Sequence, residues 1–139
     1  MKDVLVRFAE LSDLNWLAKK DDIKRAIIKR KIEQKEIIVA RLNYKLIGFL
    51  RFEFLWSLVP HVAMIRVDEA HQKKGVGKSM IDFLEKYLVK KGHKLLFSSS
   101  QANELEPQRW HKKNGFKECG YIDNVQGVRE IFLCKKFKE

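Results

Sequence analysis

The stretch "HVAMIRVDEAHQKKGVGKSM", residues 61–80, carries most of the information about the fold. It opens with an apolar, β-branched run over residues 61–67 that is typical of a strand. From residue 75 to residue 91, the apolar side chains recur at the spacing of one helix face. A strand, a glycine-containing loop and a helix therefore follow one another directly. Because the first N–H groups of a helix lack partners and carry the positive end of its dipole, this loop is a candidate anion site.

Two phosphate-binding patterns overlap in this loop. Residues 77–79 are Gly-Lys-Ser, as at the end of the P-loop pattern G-x-x-x-x-G-K-[ST], but the first glycine of that pattern would fall on Gln72. The aspartate that would bind magnesium also lies on the strand that enters the same loop, rather than on a later strand. The sequence therefore departs from a nucleotide-binding P-loop at two points. The pattern Q-x-x-G-x-G over residues 72–77 fits better, since its glycines let a pyrophosphate approach the backbone and nearby lysines add positive charge.

The segments on either side alternate between strand and helix patterns. Predicted strands lie at residues 3–8, 36–43, 45–56, 61–67, 94–99, 116–122 and 129–137. Predicted helices lie at residues 13–20, 21–34, 75–91 and from 107 to about 114. We expect Pro60 at the start of its strand and Pro107 at the start of its helix. This order predicts an α/β or α+β fold in which helices pack on the faces of a mixed sheet.

Length and composition predict one globular domain over residues 1–139. No apolar run is long enough to span a membrane and the N-terminus is too polar for a signal peptide, so we expect a cytoplasmic protein with no membrane partner. The net charge of +11 suits a polyanionic partner. Carboxylates alternate with the lysines in most segments, however, and residues 19–36 read as an amphipathic helix with a solvated face. We therefore rank a nucleic-acid-binding module last among the possible functions.

Residues that are able to bind metal ions are scattered along the chain. The two cysteines, Cys119 and Cys134, and the four histidines show none of the spacings of a metal site, so we expect no metal. Two reduced, partly buried thiols are the expectation for a reducing compartment.

The motifs resemble those of the GCN5-related N-acetyltransferase (GNAT) family. In that family a strand ending in Val and a short spacer precede [Q/R]-x-x-G-x-[G/A] at the start of a helix, and Val67 with residues 72–77 matches this pattern. A second motif, an aromatic pair followed by a basic residue and Gly-Phe, resembles "WHKKNGF" at residues 110–116. The resemblance extends over almost the whole chain and is strongest over residues 60–136.

The resemblance implies a GNAT-like acyl-CoA N-acyltransferase fold. Such a fold has a central, mixed, mostly antiparallel twisted sheet of six to seven strands, flanked by about four helices. A splayed strand pair, here residues 61–67 and 94–99, forms the cofactor slot. The implied activity is transfer of the acetyl group of acetyl-CoA to a primary amine of a small molecule or a protein by direct attack in a ternary complex, without a metal. A non-catalytic acyl-CoA-binding or regulatory domain is the alternative, and homodimers are common in the family.

The same resemblance implies which residues hold the cofactor. The end of the strand would pair through its backbone with the pantetheine arm, with an N–H near Val67 polarising the acetyl carbonyl. The implied cofactor-binding residues are Ile65, Arg66, Val67, Gln72, Lys73, Lys74, Gly75, Val76, Gly77, Lys78, Ser79, Asn103, Trp110 and Lys113. Of these, Asn103 lies one residue further from His111 than the family's asparagine usually does, and it would otherwise cap a turn.

Acyl transfer to an amine requires that the ammonium lose a proton and that the leaving thiolate gain one. The family often places a tyrosine as the proton donor four residues before the glycine of Gly-Phe, and here that position is His111. A histidine can donate a proton near neutral pH, or it could bind the cofactor or have no role. The candidate base is Glu53, acting through water. The alternative is that Arg51 and Glu53 form a salt bridge on the solvent-facing side of their strand.

The acceptor-binding residues have no recognisable motif. The helices over residues 13–34 and the loop over residues 54–60 are expected to select the acceptor. Glu104 and Glu106 would bind a cationic acceptor or favour a helix start. We expect Trp56 in the core.

Overall fold

A computed structural model describes residues 3–138, and within them it has seven strands and four α-helices. The strands are β1 (Val4–Phe8), β2 (Ile37–Leu42), β3 (Lys45–Leu55), β4 (Val59–Val67), β5 (Leu95–Gln101), β6 (Lys117–Val125) and β7 (Val128–Lys136). The helices are α1 (Leu14–Lys20), α2 (Arg25–Glu33), α3 (Val76–Lys90) and α4 (Leu105–Lys113). The strands follow the order β1-β2-β3-β4-β5-β7-β6 in one sheet, in which β4 and β5 are parallel. This confirms the predicted mixed, mostly antiparallel sheet with four helices.

Several predicted boundaries differ from the structure by a few residues, and three of them involve an identifiable local feature. The second helix begins at Arg25 rather than at residue 21, because the side chain of Asp21 turns away to bind Arg51 and the N–H of Asp22. Pro60 is the second residue of β4, and Pro107 is the third residue of α4. Pro107 is tolerated because the first turn of a helix leaves its N–H groups without intrahelical partners. Pro60 is tolerated because it lies near the start of its strand.

The described residues fall into two compact units. The first unit comprises residues 3–52 and 64–84. Its core lies between α1, α2 and the strands β2 and β3, with Trp16 edge-on to Phe49 at 6.2 Å between ring centroids. The fully or nearly buried members of this core are Ala9, Leu17, Ile28, Ile32, Ile37, Val39 and Phe49. The apolar side of the predicted amphipathic helix, with Ile28 and Ile32, therefore faces this core.

The second unit comprises residues 53–63 and 85–138. It contains the antiparallel pairs β5–β7 and β6–β7 and the parallel contact of β4 with β5 at His61–Phe97 and Val62–Ser98. Along β5, Leu96, Ser98 and Ser100 are buried while the residues between them are only half-buried. Successive β5 side chains therefore point to opposite faces of the sheet.

Two expectations about side-chain burial are wrong. Trp56 is 81% exposed instead of lying in the core, because it and Ser57 form the two left-handed residues of the turn that joins β3 to β4. Cys119 is exposed rather than partly buried, since β6 is exposed along almost its whole length. Both cysteines are free thiols. Within residues 3–138, none of the helices combines the length and the apolarity of a membrane span.

Candidate functional site

The loop between β4 and α3, in the first unit, has the backbone of an anion site. After Val67 the chain makes a short 3-10 turn (Glu69–His71), and α3 begins at Val76. Lys73 and Gly75 have positive φ angles of 63° and 84°. Left-handed residues among right-handed ones direct successive N–H groups into one concavity, which binds anions. A Cβ at Gly75 would meet nothing within 4 Å, so the glycine is needed for its φ and leaves open space beside the backbone.

The start of α3 adds unpaired donors to this loop. The first hydrogen bond of the helix runs from the N–H of Ser79 to the carbonyl of Gly75 at 3.0 Å. The N–H groups of residues 76–78 precede it and have no carbonyl one turn back to bind. They carry the positive end of the dipole of a 15-residue helix. Val76 and Gly77 are buried, so they hold this helix start in place.

Two side chains at this position, Gln72 and Ser79, hydrogen-bond to the backbone of the loop itself. The Gln72 amide donates to the carbonyl of Val67 at 3.0 Å, and the Ser79 hydroxyl donates to the carbonyl of Gly75 at 3.0 Å. Lys78 forms an ion pair with Asp82 at 2.8 Å. Lys73 and Lys74 are exposed. The structure thus gives Gln72 and Ser79 a role in shaping the loop, while the two exposed lysines supply positive charge.

The end of β4 is fixed by the first unit. The N–H of Asp68 donates to Ile47 at 2.8 Å, which ties the strand end to β3. The Asp68 carboxylate pairs with Lys20 at 3.2 Å, and the Arg66 guanidinium donates to the carbonyl of Lys20. Ile65 and Val67 are half-buried. The side chain of Arg66 is therefore committed to α1, which leaves its backbone as the part that could meet a ligand.

In the second unit, His111 is buried and both of its ring nitrogens have protein partners. Nδ1 lies 2.7 Å from the carbonyl of Pro107, and Nε2 lies 2.6 Å from the hydroxyl of Ser98. A carbonyl only accepts hydrogen bonds, so Nδ1 carries a proton. Burial lowers the pKa of His111, against a smaller opposing effect of the Pro107 carbonyl. The ring is therefore neutral near pH 7, and its Nε2 accepts the hydrogen bond of Ser98.

Helix α4 ends in a motif that fixes His111 further. The N–H of Phe116 donates to the carbonyl of His111 at 3.0 Å and that of Gly115 to Lys112 at 3.2 Å, with Gly115 at a φ of 93°. This is a Schellman C-cap. The rings of Trp110 and Phe116 lie edge-on to the imidazole, each at 5.2 Å between centroids. In this arrangement Nε2 carries no proton that Ser98 could relay, so donation would require His111 to gain a second proton first, and the proton-donor role stays a prediction.

Two buried neutral histidines predict that the protein loses stability in mild acid. Burial lowers the pKa of His61 as well as that of His111. Below the unfolded histidine pKa of about 6.5, the unfolded chain binds protons that the folded chain does not, so stability falls as pH drops below that value. We expect the urea midpoint to decrease from pH ~7 to pH ~5, and to decrease less in His111→Gln. An equal midpoint at both values would contradict this.

The alternative of a salt bridge between Arg51 and Glu53 is contradicted by the structure. Arg51 is buried and binds Asp21 in a bidentate ion pair, with distances of 2.8 and 3.1 Å. Glu53 instead lies 3.3 Å from Nδ1 of His61. The two residues lie at successive positions on the same face of a strand, but different surroundings attract them to different partners.

The remaining predicted residues lie around α4. Asn103 is exposed in the turn between β5 and α4, Trp110 is half-buried, and Lys113 is exposed at the last residue of α4.

Glu104 is the N-cap residue of α4 and Glu106 lies in its first turn, as expected for acidic residues that favour a helix start. The amide of Gln108 donates to three carbonyls, those of Gln101, Ala102 and Glu104, and thereby holds this turn.

The predicted residues are thus gathered in two groups. Residues 65–79 form one group in the first unit, and Glu53, Asn103, Trp110, His111 and Lys113 belong to the second. The sequence analysis missed His61, Ser98 and Ser99 as polar partners of these residues. A signal was present, because the run of serines at 98–100 interrupts an apolar strand, and buried hydroxyls need partners. The hydroxyl of Ser100 is buried and has no partner among the described residues.

Comparison with known proteins agrees with this geometry. The family model described as "Acetyltransferase (GNAT) family" matches residues 5–116. Among solved structures, Ard1 from Thermoplasma volcanium is 16% identical, covers 99% of both chains and has a TM-score of 0.86. The putative streptothricin acetyltransferase from Bacillus anthracis, in complex with acetyl coenzyme A, is 18% identical over 97% of this chain and 99% of its own, with a TM-score of 0.82.

A third structure is the ribosomal-protein-S18-alanine N-acetyltransferase from Escherichia coli. It is 16% identical over 98% of this chain and 95% of its own, with a TM-score of 0.80. A comparison with curated proteins gives no match. At these identities the solved structures establish the fold, and the match to the family model covers most of the chain.

Proposed function

This chain belongs to the GNAT family of acetyltransferases, and from that premise we propose that it transfers the acetyl group of acetyl-CoA to a primary amine. The acceptor would be a small molecule or a protein, and the reaction a direct attack in a ternary complex. We further propose that residues 1–139 act as one acetyltransferase domain. The observation that carries the proposal is the loop over residues 72–79, where a helix start, two left-handed residues and exposed lysines converge.

The loop has the chemistry that a CoA pyrophosphate requires. Backbone N–H groups at a helix N-terminus bind phosphate oxygens, and the dipole favours their charge. The open space beside Gly75 lets a phosphate approach the backbone, and Lys73 and Lys74 are free to move toward it. We propose that residues 65–67 bind the pantetheine arm through their backbone, and that Asn103, Trp110 and Lys113 also contact the cofactor. Acetyl-CoA supplies an acetyl group that is activated as a thioester.

The chain itself would orient the amine and move protons. Glu53 is the proposed carboxylate of the base, because it contacts a neutral imidazole instead of a cation that would hold it in a salt bridge. We propose that His111 supplies the proton for the leaving group in its imidazolium form: once the ring has gained a second proton, Nε2 donates it to Ser98, whose own hydroxyl proton passes to the thiolate while the serine stays a hydroxyl. Much of the rate would come from holding the amine near the acetyl carbon.

One observation supports the alternative of a non-catalytic acyl-CoA-binding domain. The residue at the position of the family's usual tyrosine, His111, is buried and has a protein partner at each ring nitrogen. A neutral imidazole held in this way is a poorer proton donor than a partly exposed cationic one. Cofactor binding without turnover would establish this alternative.

Cofactor binding is tested by calorimetric titration with acetyl-CoA, CoA and ATP·Mg in parallel. We expect both CoA species to bind and ATP·Mg to bind at least ~100-fold more weakly, because residues 72–77 lack the first glycine of a P-loop. Binding of ATP·Mg without CoA binding would overturn the proposal.

Turnover is tested by incubating the protein with acetyl-CoA and each of three amines, and detecting acetylated product by mass spectrometry. The amines are a peptide with a free N-terminal alanine, a peptide with an internal lysine, and streptothricin. The names of two structural neighbours guide the choice of the first and third. Acetylation of any of them supports the enzyme, whereas CoA binding without any acetylation supports the non-catalytic alternative.

A further inference from the structure

Three polar side chains on three strands of the second unit form a chain of hydrogen bonds. Oε2 of Glu53 lies 3.3 Å from Nδ1 of His61, and Nε2 of His61 lies 3.1 Å from Oγ of Ser99. The order is carboxylate, imidazole, hydroxyl, an arrangement in which a base is oriented by a third group. We call this set the Glu53–His61–Ser99 relay.

The packing of His61 fixes the direction of its ring. The residue is 7% exposed, and its ring stacks on Phe132 with 5.5 Å between centroids and 28° between planes. Phe132 is the register partner of Ser99 across β5 and β7, so both side chains lie on the face that meets His61. A ring held between a stacking partner and two hydrogen bonds keeps each nitrogen in its place.

The partners also fix where the proton lies. A carboxylate only accepts, so Nδ1 carries the proton and Nε2 offers its lone pair to the Ser99 hydroxyl. Two carboxylates act on the ring, Glu53 from β3 and Glu130 from β7, and both favour its protonation. Burial opposes them and is the larger effect, so the pKa of His61 is lowered. Near neutral pH the imidazole is therefore uncharged, and its Nε2 lone pair is available to act as a base. The Glu53 carboxylate, already in contact with Nδ1, would stabilise the cation that forms.

We propose that the Glu53–His61–Ser99 relay is the base of the acetyl transfer, with Ser99 contacting the acceptor amine, His61 accepting the proton through Ser99, and Glu53 orienting His61. The inference rests on the proposed function and deepens it. It replaces a carboxylate acting through water by an imidazole, and it makes Glu53 a positioning residue.

The proton is accounted for at each step. An N–H of the acceptor ammonium transfers its proton to Oγ of Ser99 while the hydroxyl proton passes to Nε2 of His61. The electron pair of that N–H bond stays on nitrogen as the attacking lone pair. The products are a neutral amine, an unchanged serine and an imidazolium in contact with Glu53. The imidazolium then returns the proton through Ser99, which is half-buried, to water.

The test measures kcat/KM from about pH 5.5 to 9 for the amine that is acetylated best among the three above. We expect His61→Gln to lower it by about 100-fold and Ser99→Ala by about 10-fold. The acidic limb that reports His61 should disappear in His61→Gln, because no imidazole remains to be protonated. The part of the pH dependence of kcat/KM that comes from ionisation of the acceptor amine itself would remain. A merely structural role of His61 would lower activity without removing that limb.

Glu53→Gln provides a sharper readout, because glutamine can donate a hydrogen bond to Nδ1. The proton of His61 should then move to Nε2, where it blocks acceptance from Ser99. Two-bond 1H–15N NMR spectra should show the proton on Nδ1 in the unmodified protein and on Nε2 in Glu53→Gln. This measurement needs no acceptor. A proton on Nε2 in the unmodified protein would overturn the relay.

His93→Gln is the matched control, because His93 lies in the same unit but contacts Phe54 instead of the relay. It should keep the rate and the pH profile of the unmodified protein. If His61→Gln does not fold, Ser99→Ala and Glu53→Gln still test the relay. Values of kcat/KM and pH profiles equal to those of the unmodified protein in both variants would overturn it. If the unmodified protein acetylates none of the three amines, the proposed function and the relay's role in it are overturned together.

Discussion

Reversing the charge of Lys73 and Lys74 together, in Lys73→Glu/Lys74→Glu, should weaken acetyl-CoA binding by about 100-fold. Both side chains are exposed in the loop whose backbone forms the proposed pyrophosphate site. An exposed ion pair contributes up to about 1 kcal/mol, and reversal replaces each attraction by a repulsion of similar size. At about 0.7 kcal/mol for each of the two attractions lost and the two repulsions gained, the total is about 2.8 kcal/mol, which corresponds to that loss of affinity. Calorimetric titration with acetyl-CoA, at two salt concentrations, measures it directly.

A variant with the same change in net charge provides the control. Lys29→Glu/Lys35→Glu alters two exposed lysines of the first unit, on either side of Lys31, whose ammonium group donates to the carbonyl of Phe52. Phe52 lies five residues along β3 from Ile47, the residue that contacts Asp68 at the start of the loop, which is about 16 Å at roughly 3.3 Å per residue. Charges separated by more than about 8 Å are largely screened at physiological salt, so this control should bind acetyl-CoA within about 3-fold of the unmodified protein. Equal weakening by both pairs of substitutions would mean that the overall charge of +11 attracts the cofactor and that the loop has no special role.

The loop and the sheet were predictable because their determinants are local. The stretch over residues 61–80 contains a strand pattern, two glycines and the start of a helix with apolar side chains on one face. Each of these patterns determines the conformation of residues close to it in sequence. The end of α3 was equally local, since Gly92 adopts a φ of 91° and closes a Schellman motif through the N–H of His93. Where neighbours in sequence decide the conformation, the pattern predicts it.

The partners of charged and polar side chains were not predictable in the same way. Arg51 and Glu53 lie two residues apart on one strand, a spacing that suggests an ion pair between them, yet their partners are residues that lie 30 and 8 positions away in sequence. The sequence shows neither which face of β3 is buried nor which groups arrive there from other elements. For the same reason the sequence predicted that His111 lies in a helix but could not indicate that Ser98 lies against its Nε2.

Removing one partner of the buried ion pair of Arg51 and Asp21 should strongly destabilise the protein. The side chain of Asp21 is fully buried and that of Arg51 is 11% exposed. Asp21→Asn leaves the guanidinium buried without its counter-charge, which we expect to lower the free energy of unfolding by about 3–5 kcal/mol. Urea unfolding followed by circular dichroism measures this change. We expect most of the loss to be recovered in Asp21→Leu/Arg51→Met, where both charges are removed together.

The exposed pair of Asp123 and Arg129 is the matched control, because it has the same bidentate geometry, at 2.6 and 3.3 Å, on the hairpin of β6 and β7. There, water solvates whichever charge remains, so Asp123→Asn should leave the urea midpoint unchanged. The comparison separates burial from geometry, since the two pairs differ mainly in their access to water. An unchanged midpoint in Asp21→Asn would show that water reaches Arg51 and that this end of β3 is more open than the structure describes.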